Sequence, residues 1–173
     1  MPEPTDAAVL VPLFRRDGAG LQLALIRRVN AGIHAGEIGL PGGKREPGDA
    51  SLRATALRET AEEIGVAPAD VEILEELPVV RTLTTRFAIH PFLARIRPPD
   101  AWVPQAEEVD AVIEIALRDL LRPATRTRER IDYPGVAEPF AVDCFRVGDV
   151  RIWGATYRIL DPLVARLDDG SPP

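Results

Sequence analysis

The sequence predicts an α/β/α sandwich, in which a mixed β-sheet lies between helices. Short apolar runs of strand length recur along the chain, several of them alternating with polar residues. One segment with helical spacing, between Ser51 and Gly65, interrupts these runs, and a second follows them near the C-terminus. The 173 residues suit a single domain with its own core, and no repeat or second domain is visible.

The first forty residues predict a hairpin and a loop. Residues 7–14 form an apolar run, leucines alternate over 21–25, and a turn at 17–20 joins these two strands. Residues 29–39, rich in glycine and alanine, predict a loop.

After the first helix the pattern is mainly that of strands. Residues 98–105 predict a loop, 116–121 a short helix, and 122–138 a polar excursion or hairpin. The final residues, 168–173, predict a disordered tail. The predicted strands are 72–80, 87–96, 109–115, 140–147 and 150–153.

The C-terminal helix is predicted by apolar residues at helical spacing. Pro162 is expected to mark its start or a kink. The spaced residues are Leu160, Leu163, Val164 and Leu167.

Three glutamates share one face of the first predicted helix. Glu59 lies three residues before Glu62 and four before Glu63, and residues at those spacings are neighbours on a helix. The opposite face is expected to pack on the core through Ala54, Leu57, Ala61 and Ile64.

The ends of this helix also carry signals. Asp49 or Ser51 is expected to cap its start. Gly65 is expected to end it in a left-handed conformation, with Pro68 shortly beyond.

The three glutamates favour a divalent-metal site. Crowded carboxylates raise one another's pKa, and a divalent cation removes that cost. Hard oxygen ligands favour Mg²⁺ or Mn²⁺, which bridge phosphate oxygens and neutralise developing charge. A Glu-Glu pair alone is usually a solvated helix face. Its combination with a Pro-Gly-Gly turn and helix caps favours a site instead, so Glu59, Glu62 and Glu63 are predicted metal ligands.

The turn before the helix predicts contacts with phosphate. Gly42 and Gly43 allow backbone to approach ions or phosphates closely, and with Lys44 they form a predicted substrate-binding turn. Arg58 is expected to orient a glutamate by a charge-assisted hydrogen bond. Arg58, Glu62 and Glu63 are therefore the predicted catalytic residues of this segment.

Residues 43–66 resemble the Nudix box, whose usual form is G-x5-E-x7-R-E-U-x-E-E-x-G-U, with U a bulky aliphatic residue. This chain departs from it in having Asp49 as the first acidic residue and eight residues between Asp49 and Arg58. The resemblance implies the Nudix fold, which is an α/β/α sandwich with a mixed sheet. It also implies metal-dependent hydrolysis of a phosphoanhydride bond.

The longer spacing resembles that of Nudix enzymes that cleave coenzyme A. Their box reads roughly P-G-G-[KR]-x-[DE]-x-x-D-x-S and then T-A-L-R-E-x-x-E-E-[IV]-G, and residues 41–51 and 55–65 are similar to it. Residues 82–92 and 151–156 also resemble that subfamily. Its upstream signature, L-L-T-x-R-[SA]-x3-R-x3-G-x3-F-P-G-G, is only partly present. The departures are Leu25, Arg28, Gly32 and Leu40.

This resemblance implies hydrolysis of coenzyme A or a derivative to 3′,5′-ADP and 4′-phosphopantetheine. Because the upstream signature is partial, ADP-ribose, a dinucleoside polyphosphate and a nucleoside triphosphate stay open as substrates. A non-catalytic nucleotide-binding module is the alternative of another class. It predicts a damaged acidic set, whereas all three glutamates are present.

Candidate residues also lie outside the box. Glu108 precedes a predicted strand and resembles an additional metal-binding or base carboxylate of the coenzyme A subfamily; a solvated loop residue is the alternative. Arg27 and Arg28 end a strand that faces the box, and one of them is expected to reach the substrate. His34 is weighed as a substrate contact, although a lone histidine is more often structural.

Two groups of residues have a preferred structural interpretation. Phe87 and Trp153 could stack on a base, but core packing is preferred for both. Arg126, Arg128 and Arg130 could bind an extra phosphate, such as the 3′-phosphate of coenzyme A, but a solvated loop is preferred.

Composition limits the partners. A net charge of −6 disfavours a nucleic-acid partner. Cys144 is the only cysteine, so no internal disulfide is possible and a reducing compartment is expected. No signal peptide or apolar run of membrane-spanning length is visible. We expect a cytoplasmic protein with a small-molecule nucleotide substrate and no membrane partner, and a homodimer stays open.

Overall fold

This computed structural model describes residues 4–29, 36–82 and 85–168. Its strands are β1 (Thr5–Arg16), β2 (Gly20–Arg28), β3 (Ile38–Gly39), β4 (Gly42–Lys44), β5 (Val71–Glu76), β6 (Val80–Arg81), β7 (Phe87–Ile96), β8 (Val109–Ala116), β9 (Arg126–Ile131), β10 (Phe140–Val147) and β11 (Val150–Ile152). Its α-helices are α1 (Leu52–Ile64), α2 (Leu117–Leu120) and α3 (Gly154–Asp168). Single 3-10 turns lie at Pro68–Asp70 and Pro123–Thr125.

The larger sheet is mixed, as predicted, and its first two strands separate at one end. β1 and β2 form the predicted antiparallel hairpin, from Leu13↔Leu23 to Arg16↔Gly20. Beyond that point β4 pairs with β1 and β3 pairs with β2. On the other side of β1, β7 runs parallel to it and pairs in turn with β5 and β6, and β8 runs antiparallel to β2. The separation of β1 from β2 therefore gives the glycine turn a place in the sheet.

Helices cover both faces of this sheet, which confirms the predicted α/β/α arrangement. Successive side chains of a strand point to opposite faces, so alternate residues of β2 enter two separate cores. Leu23 and Leu25 pack with Leu160 and Val164 of α3. Ala24 and Ile26 pack with α1, mainly through Ala56 and Ile64. Burying each large apolar side chain contributes about 1.5–3 kcal/mol.

Helix α1 has the predicted ends but a different buried face. The Ser51 hydroxyl accepts a hydrogen bond from the Ala54 amide, and Gly65 ends the helix with a φ of 75°. The predicted apolar stripe is wrong for Ala54, Leu57 and Ala61, which are only half-buried. The buried face combines Ala56 and Ile64, which pack on β2, with Glu63, which accepts a hydrogen bond from the distant glycine turn. The residues buried on α1 are Thr55, Ala56, Thr60, Glu63 and Ile64.

Two prolines alter the predicted elements. Residues 72–80 form two strands rather than one, β5 and β6, separated by a segment that contains Pro78, which cannot donate a ladder hydrogen bond. Helix α3 begins at Gly154, so the prediction that Pro162 marks its start is wrong. Four apolar side chains on α3 are buried against the sheet and outweigh the hydrogen bond that proline cannot make. They are Ile159, Leu160, Leu163 and Val164.

The second sheet has the order β11-β10-β9, and it contains the segment predicted as a polar excursion or hairpin. Arg126 and Arg128 pair with Asp161 and Asp143, and Arg130 donates to the Pro139 carbonyl. These arginines lie on β9, so their preferred interpretation as loop residues is wrong, although Arg128 and Arg130 are exposed to solvent as that interpretation expected.

The predicted disordered tail, 168–173, begins one residue too early, because Asp168 is the last residue of α3. Its other residues, 169–173, lie outside the described residues. Over the described ranges, no helix is both long enough and apolar enough to span a membrane.

Candidate active site

The glycine turn holds the most deeply buried glutamate of α1. The Gly42 amide donates a hydrogen bond of 2.7 Å to Oε2 of Glu63. Gly42 has a φ of 148°, and a Cβ atom there would lie 2.6 Å from the Cα of Val9. Both facts require glycine, so the turn is shaped to bring a backbone N–H onto this carboxylate.

The next glycine receives a second carboxylate. A Cβ atom at Gly43 would lie 2.5 Å from the carboxyl carbon of Glu59. The Glu59 side chain is 14% exposed. Glu59 and Glu63 are therefore held side by side against two successive glycines of β4, within one face of α1.

Burial changes the acidity of both carboxyl groups. Desolvation raises the pKa of Glu63 to about 7, against the opposing effects of the Gly42 amide and the Arg28 charge. Burial also raises the pKa of Glu59, against the opposing effect of Arg58. The negative charges of Glu59 and Glu108 raise the pKa of Glu63 further. The pair thus sits where negative charge is poorly solvated.

Arg58 is fixed by Asp49 beside this pair. Its Nε and Nη2 atoms donate to the two carboxylate oxygens of Asp49 at 2.9 and 3.0 Å. Thr55 Oγ1 and the Glu46 amide also donate to Asp49, both at 2.9 Å. Together, with the Arg58 hydrogen bonds contributing most, they hold the pKa of Asp49 well below its usual range. Arg58 Nη1 lies 3.0 Å from Oε1 of Glu59, as expected for an orienting residue.

The contribution of Thr55 was not foreseen from the sequence. Its side chain is fully buried and bonds Asp49, which leaves Ser51 alone to cap the helix. A threonine four positions after a helix cap, with an aspartate just before that cap, is the signal that could have indicated it.

The other two predicted carboxylates lie on the exposed side of the site. Glu62 is 51% exposed and accepts a hydrogen bond of 3.0 Å from Arg58. Glu108 is exposed, and its charge acts on both Glu59 and Glu63. Its loop is attached to the end of α1, because the Gln105 amide donates to the Glu63 carbonyl at 3.1 Å.

The predicted basic residues surround the turn at different distances. The charge of Arg28 is near enough to lower the pKa of Glu63. Arg27 instead pairs with Asp110 on the neighbouring strand, with Nη1 3.8 Å from Oδ2. Lys44 is exposed, with Nζ 5.4 Å from the centre of the Phe87 ring. His34 lies outside the described residues.

The donors present suit a hard divalent cation. Glu59 and Glu63 supply carboxylate oxygens, and burial, with smaller contributions from neighbouring carboxylates, raises their pKa values. A bound cation would offset both effects. Over 4–29, 36–82 and 85–168, however, no three acidic, histidine or cysteine side chains converge tightly enough to enclose an ion. Glu62 is the most exposed of the three glutamates, and it accepts a hydrogen bond from Arg58.

Comparison with known proteins identifies the family. The model of the NUDIX domain matches residues 4–133. The chain belongs to the Nudix family. It is 40% identical to a protein of Salmonella paratyphi B described as an uncharacterized Nudix hydrolase, NudL, over 94% of this chain and 82% of that protein.

Solved structures have the same fold. A NUDIX hydrolase from Alicyclobacillus acidocaldarius superposes with a TM-score of 0.59 at 21% identity, covering 70% of this chain and 82% of the other. The NUDIX domain of Shewanella oneidensis NrtR, solved in complex with ADP ribose, gives a TM-score of 0.54 at 25% identity, covering 70% and 78%. Nudix hydrolases generally use divalent metals such as Mg²⁺ or Mn²⁺, so a metal-dependent site is the family's usual chemistry.

Proposed function

We propose that this Nudix protein hydrolyses the pyrophosphate bond of a nucleoside diphosphate-linked substrate with Mg²⁺ or Mn²⁺. The observation that carries the proposal is the placement of Glu59 and Glu63 against Gly42 and Gly43, with Arg58 bonded to Glu59. Two poorly solvated carboxylates beside a glycine turn favour binding of a cation together with phosphate.

Each residue has a distinct role in this proposal. Glu59 and Glu63 hold the cation, with Glu62 as a further ligand, and the cation supplies charge neutralisation at the phosphates. Arg58 fixes the orientation of Glu59. The proton of the attacking water passes to a carboxylate oxygen of Glu108.

Positive charge and backbone position the substrate. Arg28 and Lys44 bind its phosphate oxygens, Arg27 contacts another part of the substrate, and the Gly42-Gly43 backbone lets the phosphate oxygens approach closely. Stabilising the charge on the departing phosphate is the main catalytic demand of this class of reaction.

Coenzyme A or a derivative is the substrate we favour, with 3′,5′-ADP and 4′-phosphopantetheine as products. The similarity of residues 41–51 and 55–65 to the coenzyme A subfamily supports this choice. The longer box that this similarity includes has a use here, because Asp49 reaches both Arg58 and Thr55.

ADP-ribose is the second candidate substrate. The NrtR domain of Shewanella oneidensis binds ADP ribose, and its fold covers 70% of this chain. Dinucleoside polyphosphates and nucleoside triphosphates stay within the same chemistry. A purely nucleotide-binding role is the weakest alternative, since all the glutamates of the box are present.

The test is to incubate the protein with Mg²⁺ or Mn²⁺ and separate samples of coenzyme A, ADP-ribose, diadenosine polyphosphate and nucleoside triphosphate. Products are identified by mass. Glu63→Gln should abolish turnover, whereas Glu72→Gln, the same chemical change on the exposed side of β5, should not. Cleavage of ADP-ribose with coenzyme A untouched would replace the favoured substrate. No cleavage with either metal would reject hydrolysis itself.

A further inference from the structure

A cavity of about 360 Å³ lies between the two sheets, outside the carboxylate site. We name it the β3–β11 cavity. Pockets of this size hold small ligands of nucleoside size and above. Its walls come from the end of β2, from β3, and from the ends of the second sheet. They include Arg27, Ile38, Ile131, Tyr133, Arg151 and Trp153.

The cavity has an aromatic wall that is already formed. The rings of Tyr133 and Trp153 meet edge to face, with centroids 5.6 Å apart and an interplanar angle of 80°. Phe140 packs on both rings, with its centroid 6.4 Å from that of Tyr133 and 6.5 Å from that of Trp153. Trp153 immediately precedes α3 and is only partly buried. Flat, rigid aromatic surface of this kind is suited to stacking a planar ring.

The charges around the cavity do not select an anion. Arg146 and Arg151 are both paired with Glu129, at 2.5 and 3.5 Å. Among the described lining residues, arginines and carboxylates occur in equal number, and Glu129 adds a negative charge beside two of the arginines, so the rim has no excess of positive charge. The charged lining residues are Arg27, Arg146 and Arg151, against Glu37, Asp132 and Asp149. Such a rim offers hydrogen-bond donors and acceptors to a neutral polar group.

The cavity and the carboxylate site open at the same end of β2. Arg27 lines the cavity, while the next residue, Arg28, acts on the pKa of Glu63. The Arg28 amide donates to the carbonyl of Glu37, another lining residue, at 2.9 Å. Ile38 of the cavity precedes Gly42 of the carboxylate site by four residues. Four extended residues span about 13 Å, which limits the distance between these two residues. Because consecutive strand residues point to opposite faces of a sheet, a substrate that occupies both sites passes around the end of β2, where β2 separates from β1.

We propose that the β3–β11 cavity binds the base of the substrate nucleotide, a neutral aromatic ring with an exocyclic amino group such as adenine. The base stacks on Trp153, and carboxylates at the rim accept hydrogen bonds from its amino group. This inference rests on the proposed function, because it places the base of the same substrate whose pyrophosphate lies at Glu59 and Glu63. It departs from the sequence-based preference for Trp153 as a core residue.

The test measures binding without turnover, with adenosine as the probe. Trp102 and Trp153 are the two tryptophans, so Trp102→Phe leaves Trp153 as the only indole reporter. Trp102 packs on Phe14 and does not line the cavity. We expect adenosine to change the fluorescence of this variant saturably, and pantetheine to leave it unchanged. Glu63→Gln is expected to bind adenosine as the wild type does.

Two substitutions at Trp153 separate stacking from folding. Loss of base stacking weakens binding by about tenfold or more, so Trp153→Leu should lose at least that much affinity for adenosine by calorimetry. Trp153→Phe keeps a flat ring and should stay within about threefold of wild type. Thermal melting of each variant checks that it is folded.

The inference is overturned by any of three results. Adenosine fails to bind up to millimolar concentration, or binds Trp153→Leu as tightly as wild type, or pantetheine binds in its place. These results are independent of hydrolysis. Adenosine binding without cleavage of any substrate would reject the proposed function and leave the cavity assignment standing.

Discussion

Glu63→Gln is expected to stabilise the metal-free protein while it removes activity. The Glu63 residue is 1% exposed, and burial raises its pKa to about 7. Glutamine keeps the shape of glutamate and an oxygen that accepts the Gly42 hydrogen bond, but it carries no charge. The variant therefore avoids the free-energy cost of burying an ionised carboxylate.

The raised pKa sets the sign, the pH window and the size of this effect. A carboxyl group with a higher pKa in the folded chain binds its proton more tightly there, so the wild type loses stability as pH rises from 4.5 to about 7. Each tenfold change in acidity corresponds to about 1.4 kcal/mol. The variant should therefore gain about 3 kcal/mol over wild type well above pH 7, or about 6–12 °C in melting temperature.

The assay is chemical unfolding of both proteins in the presence of a chelator, over a series of pH values from 4.5 upwards. Subtracting the free energy of unfolding of one protein from that of the other cancels the titration of all groups that they share. Saturating Mg²⁺ should reduce the difference in free energy of unfolding between the variant and the wild type, because an ion that binds only the folded wild type stabilises it. A difference that does not grow with pH, or a variant less stable than wild type at high pH, would refute burial as the cause of the raised pKa.

Two further substitutions test other parts of the molecule. Gly43→Ala should lower kcat about tenfold or more, because its methyl group would displace the Glu59 carboxylate. Gly48→Ala is the control: a Cβ atom there would have no atom within 4 Å, so steady-state kinetics should be unchanged. The hydrogen bonds from Arg146 contribute most to holding the pKa of Glu129 at about 2. Glu129→Gln removes the negative charge and one of the two oxygens that accept them. The variant should be less stable than wild type by less than about 1 kcal/mol, because the pair is partly exposed. Unfolding measurements should show the full difference above pH 4.5 and its loss as pH falls through about 2.

The features that the sequence predicts well are those with a local cause. The hairpin of β1 and β2 follows from alternation and a turn, and β7 has its predicted bounds, Phe87–Ile96. The ends of α1 at Ser51 and Gly65 follow from capping chemistry. Each of these depends on residues a few positions apart, so a single sequence contains the whole signal.

What the sequence did not predict depends on distant partners. The buried face of α1 includes Glu63, which accepts a hydrogen bond from Gly42, 21 residues away. Apolar spacing alone could not reveal it, because three of the four residues in the predicted stripe are only half-buried. The β3–β11 cavity likewise combines Arg27 with Trp153, from opposite ends of the chain. Helical periodicity carries no information on such contacts.

Glu63 shows why these failures concentrate at the site. Among the largest fully buried side chains of the described ranges, the others are apolar, and Glu63 is the one that can carry a charge. A rule that places apolar residues inside would treat a carboxylate there as an error. Its burial lowers the stability of the metal-free chain, and in our proposal the same burial favours binding of a cation. A local conflict of this kind is expected where function and stability make opposite demands on one residue.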